Sequence, residues 1–347
     1  MPAPAYAAVS AIVPVHNGGK DFRTCFKNLA QADPAPHEII VVADGETDGS
    51  SNEAEAAGAK VIRLSVAGGP ARARNVGARG ATGNILLFID SDVAIYSDTI
   101  GKVAAIFEGD PGLAALFGSY DDEPGAANFL SQYKNLMHHY VHQTAREDAS
   151  TFWGACGAIR RETFLALGGF DESYRHPSIE DVELGYRLVQ AGHRVRLCKD
   201  LQVKHLKRWQ AISLLQSDML RRALPWTELT FRHGRLLNDL NFRPSSRISA
   251  VLACGLAASL VAAWWRIGFL GLAAALGVLL LFLNTPLYRF FYRKRGIRFA
   301  LQAVSWHWFY YFYSSIAFAL GTLFYLGAAL NPRASRANKT VSPTGRR

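Results

Sequence analysis

The stretch NILLFIDSD, residues 84–92, ends an apolar run on two carboxylates. Ile85–Ile89 is uninterrupted and of strand length, and Asp90 and Asp92 follow it one residue apart. Two acids at the end of a buried strand need a partner for their charge, and hard divalent cations prefer carboxylate oxygens. The stretch therefore predicts a strand, Asn84–Asp90, and a cation site directly after it.

The flanking residues alternate between strand and helix patterns. Further strands are predicted at Val9–Val15, Glu38–Val42 and Lys60–Leu64. Helices are predicted at Asp21–Ala30, Ser50–Ala57, Ala71–Ala81 and Ser97–Phe107. Such alternation is typical of a parallel α/β sheet, in which ligands bind beyond the carboxyl ends of the strands. The loops at those ends are PVHN (14–17), ADGETDGS (43–50) and DSD (90–92).

The net positive charge of the chain comes from its last hundred residues. Residues 247–347 contain twelve Lys and Arg and no acid, whereas residues 1–246 contain twenty-six Lys and Arg against twenty-eight acids, a balance of −2. The basic region is also the most apolar, which favours membrane lipids with anionic headgroups as a partner and argues against nucleic acid.

The cysteines and the N-terminus indicate a cytosolic catalytic part. The four cysteines are scattered without a CxxC pair, which favours reduced thiols. No charged region precedes the short apolar stretch near the N-terminus, so we expect no signal peptide.

Three long segments without charge follow, at Ile248–Trp265, Ile267–Leu283 and Ala303–Leu330. A bilayer-spanning helix needs about 20 apolar residues, so residues 247–330 are predicted to form a membrane domain of two to three transmembrane helices. The alternative is a buried helical hairpin of a soluble protein.

The basic residues between these segments predict the orientation. Arg289–Arg298 contains five cations, whereas Arg266 stands alone between the first two segments. The positive-inside rule then places Arg289–Arg298 and residues 1–246 at the cytoplasmic face of the inner membrane. The length of the third segment favours a helix that crosses the membrane, which would place the basic tail, residues 331–347, on the outer side. A re-entrant third segment would keep this tail on the cytoplasmic side.

Residues 206–246 link the two halves and mix apolar residues with arginine at helical spacing. Amphipathic helices on the membrane surface, with Arg221 and Arg222 facing headgroups, fit this pattern. A helix packed on the soluble domain fits it equally well.

Several stretches together resemble a known family. They are SAIVPVHN (10–17), IIVVADGETDGS (39–50), ARNVGARGATGNILLFIDSD (73–92), and GACGAIRRETFLALGGFDES (154–173) followed by IEDVELGYRL (179–188). In order and spacing, over roughly residues 8–209, they resemble glycosyltransferase family 2 enzymes of the GT-A fold. The resemblance implies a GT-A catalytic domain at residues 1–205. The apolar C-terminal part is similar to bacterial membrane-bound members, including hopanoid-associated ones.

The family's activity implies the partners and the cofactor. Such enzymes move a sugar from a nucleotide-diphosphate sugar donor with inversion, here to a lipid or lipid-linked acceptor because of the membrane anchor. Mg²⁺ or Mn²⁺ would stabilise the leaving diphosphate as a Lewis acid. In the family's DxD motif the last acid contacts the metal, which implies this role for Asp92, while Asp90, with Ser91 beside it, helps hold ribose or a metal-bound water. His205 is either a further metal ligand or a polar strand-end residue.

The loops after the first two strands are implied to hold the nucleotide. Asp44 stands where the family binds the base, although Ala43 replaces the usual first acid. His16, two residues after Pro14, stands where a tyrosine usually stacks on the base.

Arg72 and Arg74 follow Gly68 and Gly69 at the start of a predicted helix. A glycine turn into a helix N-terminus with arginines is a diphosphate site. Surface ion pairs are the alternative role for these two arginines.

Glu180 and Asp181 open the helical pattern of IEDVELGYRL. By resemblance, Asp181 is the base that takes the proton of the acceptor hydroxyl, with Glu180 as its catalytic neighbour. Favourable placement of acids at a helix N-terminus is the alternative.

The acceptor side is implied by two aromatic positions. Trp153 precedes Gly154, whose missing side chain lets the backbone approach a sugar. HLKRW (205–209) resembles the QxxRW motif of processive polysaccharide synthases, so Arg208 and Trp209 are acceptor candidates, and a polysaccharide synthase is an alternative function.

A zinc site and a non-catalytic scaffold have less support from the sequence. His138 and His142 share a helix face, but a zinc site lacks a third ligand nearby in sequence. A non-catalytic scaffold that binds nucleotide sugar would have no use for a base such as Asp181.

Overall fold

A single eight-stranded sheet is found among residues 7–233 and 244–330, which the computed structural model describes. Its strands are β1 (Val9–Val15), β2 (Glu38–Asp44), β3 (Lys60–Leu64), β4 (Ile85–Ile89), β5 (Val93–Ile95), β6 (Leu113–Tyr120), β7 (Cys156–Arg160) and β8 (Arg194–His205). Their order in the sheet is β3-β2-β1-β4-β7-β6-β8-β5.

The sheet is parallel in its first half and mixed beyond it. β1 pairs in parallel with β2 and β4, and β2 pairs in parallel with β3. β7 runs antiparallel to both β4 and β6, and β5 antiparallel to β8. The α/β fold class is therefore confirmed, and the predicted parallel arrangement holds for β1–β4. This topology brings the carboxyl ends of β1, β2 and β4 to one edge of the sheet.

Helices cover both faces of the sheet. They are α1 (Gly19–Ala30), α2 (Ser50–Ala56), α3 (Pro70–Gly80), α4 (Thr99–Gly109), α5 (Phe129–Thr144), α6 (Arg161–Ala166) and α7 (Glu180–Gln190). The four helices predicted from sequence are found with ends within two residues of the prediction. In α1, Phe22, Phe26 and Leu29 recur at helical spacing and are buried, so this face packs on the sheet.

Alternate residues of the central strands supply two separate cores. Ala11 and Val13 of β1 lie in one cluster with α1 and α4, whereas Ile12 lies in the other with α3, α6 and α7. This is the strand period of two, and it produces a layer of helices on each face.

Phe88 of β4 anchors the second core. It is fully buried, and its ring lies 5.2 Å from Phe164 and 5.1 Å from Phe170 between centroids. We expect Phe88→Ala to lower the free energy of unfolding by about 3–5 kcal/mol, because it removes these contacts and leaves a cavity. Thermal unfolding checks this against Leu165→Ala, a residue 38% exposed in α6. An equal decrease in the free energy of unfolding of both variants would contradict the role of Phe88 as the anchor of the second core.

Two later helices are long and apolar enough to cross a membrane by length and composition, α10 (Pro244–Ala262) and α11 (Phe269–Leu330). They follow α8 (Ala211–Gln216), a π-helical segment (Ser217–Ala223) and α9 (Leu224–His233). α11 contains both the second and the third predicted segment. The predicted loop Arg289–Arg298 is helical except at Gly296, whose φ of 79° breaks the helix.

The described chain forms two compact units. The first contains the sheet, extends to Ser213 and includes Pro286–Ala303; the second contains residues 214–233, 244–285 and 304–330. Pro286–Ala303 groups with the sheet, and the predicted domain boundaries at 205 and 247 stay predictions. The basic tail 331–347 and residues 234–243 of the predicted linker lie outside the described residues.

Polar contacts join the helices of the second unit. Asn284 donates to Ser249 Oγ at 3.0 Å and accepts from Tyr311 Oη at 3.0 Å. Tyr313 Oη donates to Asp218 at 2.8 Å. Such hydrogen bonds stabilise helix pairs that apolar surroundings alone do not hold together.

The segment Pro286–Ala303, here called the connecting segment, packs on α5 within the first unit. Phe291 is fully buried, with its ring 5.8 Å from that of Tyr133. Arg295 donates to Gln132 Oε1 at 2.7 Å, and Lys294 forms an ion pair with Asp122. Burial raises the pKa of Asp122, but the hydrogen bond and charge of Lys294 outweigh it and hold that pKa below its usual range.

Candidate active site

Arg74 on α3 is the centre of the predicted site. Its side chain is 5% exposed and donates to Asp90 Oδ1 at 2.5 Å and to Glu180 Oε1 at 2.8 Å. Burial lowers the pKa of Arg74, but the two carboxylates outweigh burial and raise it above its usual range. The guanidinium thus joins the end of β4 to the start of α7, and its role at the diphosphate stays a prediction.

Arg74 retains one donor for another partner. Its buried Nε has no hydrogen-bond partner among the described residues. Arg72, two positions earlier in α3, is half-buried and donates weakly to Val66 O at 3.4 Å. Of the two arginines, Arg72 is therefore the one placed to reach a phosphate.

Asp181 lies at the first turn of α7, facing Gly154. Its Oδ2 accepts a hydrogen bond from Gly154 N at 3.0 Å, and its side chain is half-buried. A Cβ on Gly154 would lie 3.5 Å from Asp181 Cβ and 3.3 Å from Arg74 Cζ. The absence of a side chain at Gly154 therefore leaves room for Asp181 and Arg74 close to its backbone. Glu180, 4% exposed, accepts from Ser178 N at 2.9 Å and is held away from solvent. Asp181 is therefore the more accessible acid of the pair.

Asp92 and His205 lie together at the end of β8. The distance from Asp92 Oδ2 to His205 Nε2 is 3.8 Å, and Lys207 Nζ is 3.6 Å from the same oxygen. The His205 ring is buried and stacks on Tyr120 with centroids 4.2 Å apart. Burial raises the pKa of Asp92, but the neighbouring His205 and the charge of Lys207 outweigh it, so this pKa lies well below its usual range.

The pair Asp92 and His205 fits a divalent cation. Two donors that each lie about 2.1 Å from one ion can be up to about 4.2 Å apart, which includes the observed 3.8 Å. Lys207 is 44% exposed, so its ammonium can move away when a cation arrives. No group of three His, Cys, Asp or Glu suited to a metal occurs in the described ranges. Two protein ligands suffice where phosphate and water complete the shell.

We expect His205→Ala to raise the Mn²⁺ concentration for half-maximal binding by at least about tenfold. Even groups that only orient a ligand contribute 10–100-fold to metal affinity, and His205 is placed as a ligand. Electron paramagnetic resonance of Mn²⁺ with nucleoside diphosphate measures this without turnover. The control is His37→Ala, because His37 directly precedes the amino end of β2, whereas the site lies at the carboxyl ends of the strands. Unchanged Mn²⁺ affinity in His205→Ala would leave His205 as a stacking residue only.

Asp44 binds the glycine turn before α3. Its Oδ1 and Oδ2 accept from Gly68 N and Gly69 N, both at 2.8 Å, and the residue is 4% exposed. Gly69 has φ of 93°, and a Cβ there would lie 2.3 Å from Arg175 O. These contacts of Asp44 order the glycine turn before α3, and its predicted contact with a base stays a prediction.

The remaining donor-side residues lie at the same edge of the sheet. His16 is exposed, with its Nδ1 2.7 Å from Asp44 O, while Pro14 is buried inside β1. Ser91 is half-buried between the two acids of the DSD loop. The base-stacking role of His16 stays a prediction.

The acceptor candidates differ in exposure. Trp153 is half-buried, and its ring lies 4.8 Å from that of Tyr120. Trp209 is only 7% exposed, with Lys207 4.6 Å from its ring, and its role at the acceptor site stays a prediction. Arg208 is exposed. Trp153 is therefore the better-placed aromatic residue.

The histidines of α5 lie beside Trp153. The rings of His138 and His142 are 3.9 Å apart, and His142 Nδ1 lies 3.0 Å from Gly118 O. Burial lowers the pKa of His142 to about 4, so this ring is neutral near pH 7.

Tyr120 is a site residue that no sequence motif indicates. Its ring lies next to both Trp153 and His205, and the pairing of β6 with β8 places Tyr120 opposite Val203, two residues before His205.

Comparison with known proteins gives the family. Residues 10–168 match the model of Glycosyl transferase family 2. Residues 10–168 form a family 2 glycosyltransferase domain. Its sheet and helices are those of the GT-A fold, as predicted, and enzymes of this family transfer sugars from nucleotide-sugar donors.

Individual relatives match parts of this chain. An uncharacterized glycosyltransferase of Escherichia coli is 38% identical over 92 residues, 25% of this chain and 27% of its own length. An uncharacterized glycosyltransferase of Haemophilus influenzae is 27% identical over 184 residues, 52% of this chain and 62% of its own length. The chain thus spans less than two thirds of each of these relatives.

One solved structure resembles nearly the whole chain. A mannosyltransferase from Pyrobaculum calidifontis, in complex with GDP-Man and Mn²⁺, superposes with a TM-score of 0.54 and 21% identity. The match covers 92% of this chain and 88% of that one, so the likeness of fold extends beyond the sheet.

Proposed function

We propose that this chain is a membrane-anchored, metal-dependent, inverting glycosyltransferase that acts on a lipid or lipid-linked acceptor at the cytoplasmic face of the inner membrane. The observation that carries the proposal is the pair of contacts made by Arg74. It binds Asp90, two residues from the metal candidate Asp92, and Glu180, next to the base candidate Asp181. One buried cation thereby connects the donor side and the base side of the site.

The donor side is suited to a nucleoside-diphosphate sugar. Asp92 and His205 would hold Mg²⁺ or Mn²⁺, which supplies Lewis-acid stabilisation of the departing diphosphate. Arg72, after the glycine turn that Asp44 orders, adds a guanidinium for phosphate oxygens. The complex of the Pyrobaculum calidifontis enzyme with GDP-Man and Mn²⁺ supports a donor of this class.

Asp181 would take the proton of the acceptor hydroxyl as it attacks the anomeric carbon. The N–H of Gly154 fixes one carboxylate oxygen at 3.0 Å, so the carboxylate is oriented before the acceptor binds. A single base and a direct displacement, without a covalent intermediate, invert the configuration at that carbon.

The membrane helices support the lipid acceptor and the location. α10 and α11 are suited to span a bilayer, and the basic connecting segment packs on α5 of the glycosyltransferase domain. The connecting segment and the active site are thus on the same side, which the positive-inside rule makes cytoplasmic. An active site held there meets acceptors that share the membrane plane.

The test is transfer by the full-length protein in lipid vesicles. A panel of labelled nucleotide sugars is incubated with Mn²⁺ or Mg²⁺, with and without total membrane lipid extract. We expect metal-dependent label in the lipid phase from at least one donor, lost in Asp92→Asn. Asp98→Asn is the matched control, because Asp98 is exposed and pairs only with Lys102 among the described residues.

Different results would identify a different function. Label that appears only in water-soluble glycans would exclude the lipid acceptor. Long products would indicate a polysaccharide synthase. Donor binding without turnover of any donor would indicate a nucleotide-sugar-binding scaffold.

A further inference from the structure

A cleft of about 400 Å³ lies between α5 and the connecting segment, inside the first unit. Tyr140 and Gln143 line it from α5, and Pro286, Arg289, Phe290 and Arg293 line it from the connecting segment. None of these residues belongs to the candidate active site.

Two arginines give the cleft its charge. Arg289 and Arg293 are four residues apart, so they share one face of the helix, and both are exposed. Neither has a carboxylate within 4 Å in the part of the chain that the structure describes, whereas Lys294 pairs with Asp122. Two neighbouring guanidinium groups without a counter-charge repel each other, and a phosphate removes that repulsion through charge-assisted hydrogen bonds.

Beside the arginines, the cleft has an apolar part formed by Pro286 and Phe290. The Phe290 ring lies 5.3 Å from Tyr140 and 5.9 Å from His139, and the ring of Pro286 is exposed beside it. The helix runs from Phe269 to this point with no charge before Arg289. The cleft thus begins where a stretch suited to hydrocarbon ends, at the depth of lipid headgroups.

We propose that this cleft binds the phosphate of an anionic phospholipid. Arg289 and Arg293 contact the phosphate oxygens, and Pro286 and Phe290 contact the first carbons of the acyl chains. The inference rests on the membrane association in the proposed function. The cleft would be a lipid site separate from the acceptor site, because α5 lies between this cleft and Trp153.

The test measures lipid binding to the full-length protein in detergent by native mass spectrometry. Dioleoyl phosphatidylglycerol and dioleoyl phosphatidylcholine are titrated separately. Wild type is expected to bind phosphatidylglycerol more tightly. Arg289→Gln with Arg293→Gln is expected to weaken that binding by roughly thirtyfold, from two arginines near a headgroup. The matched control, Arg298→Gln with Arg266→Gln, removes two other exposed arginines and is expected to leave binding unchanged.

Three results would overturn the inference. Equal weakening in both double variants would mean a general electrostatic attraction without a site. Displacement of phosphatidylglycerol by an equal concentration of inorganic phosphate would mean a site for free phosphate. Equal binding of both lipids by wild type would mean that no anionic site exists.

Flotation with vesicles separates this failure from failure of the proposed function. A protein that floats with pure phosphatidylcholine vesicles but shows no preference for phosphatidylglycerol keeps its membrane anchor and loses only the cleft site. A protein that does not float with any vesicle overturns both.

Discussion

Asp181→Asn is expected to lower the rate of sugar transfer by about 10²–10⁴-fold while donor affinity stays unchanged. Asparagine has the same shape and keeps an oxygen for the N–H of Gly154, which lies 3.0 Å from the carboxylate in the native protein. Its amide cannot accept the proton of the attacking hydroxyl. The loss therefore falls on kcat, because binding of the donor does not depend on the proton transfer.

The control for this prediction is Glu183→Gln, in the same first turn of α7. Arg187 donates to both carboxylate oxygens of Glu183 at 2.7 Å, which directs this acid along the helix. Both variants remove one negative charge from the N-terminus of the helix, but only Asp181→Asn removes the proposed base. kcat and KM are measured for each, together with the thermal midpoint to account for any loss of folded protein.

Two outcomes would contradict the role of Asp181. If Glu183→Gln lowers kcat as much as Asp181→Asn, the acids act through the helix dipole and not through proton transfer. If Asp181→Asn retains the wild-type kcat, the base is a different residue.

The strands and helices around the site can be predicted because their patterns are local. Val9–Val15 and Lys60–Leu64 are found with the predicted ends, since apolar runs bounded by turn residues determine them within a few positions. The direction of β7 has no such local signal, because only its pairing with β4 and β6 makes it antiparallel.

The partners within the site cannot be predicted from sequence. Arg74 and Glu180 are 106 positions apart, and Asp44 binds Gly69 across 25 positions, so neither contact leaves a local pattern. The motifs imply that Arg74 and Asp44 bind the donor, and the structure adds contacts of both residues with other parts of the protein. A motif predicts which residues gather at a sheet edge, whereas burial decides which of them face the ligand.

The membrane part shows the same limit. Absence of charge predicts long apolar helices, and α10 and α11 agree with that. The break at Gly296 requires a backbone conformation that only packing determines, since most glycines in a helical pattern stay helical. The packing of the connecting segment on α5 likewise depends on contacts such as Phe291 with Tyr133.

Arg74→Met is, after Asp181→Asn, the second substitution with a large expected effect. We expect it to lower the free energy of unfolding by about 3–5 kcal/mol. Methionine fills much of the same space but leaves Glu180, 5% exposed, and Asp90 without their cation. Removing one partner of a buried pair costs this much because the remaining charge stays buried. For a domain of this size the thermal midpoint would fall by about 6–20 °C.

Arg79→Met on the same helix is the matched control. Arg79 is 59% exposed and lies 3.7 Å from Glu172, so its pair is screened by water. We expect Arg79→Met to change the free energy of unfolding by at most about 1 kcal/mol. Thermal unfolding of the full-length protein in detergent compares the two variants.

A second substitution tests the cause of the loss. In Arg74→Met with Glu180→Gln, the more buried acid no longer carries a charge, so the thermal midpoint is expected to rise above that of Arg74→Met alone. Arg74→Lys is expected to rescue little, because one ammonium cannot reach both Asp90 and Glu180 with the geometry of the guanidinium. If Arg74→Met is no more destabilising than Arg79→Met, or if Glu180→Gln adds a further loss, the buried ion pair does not hold the two sides of the site together.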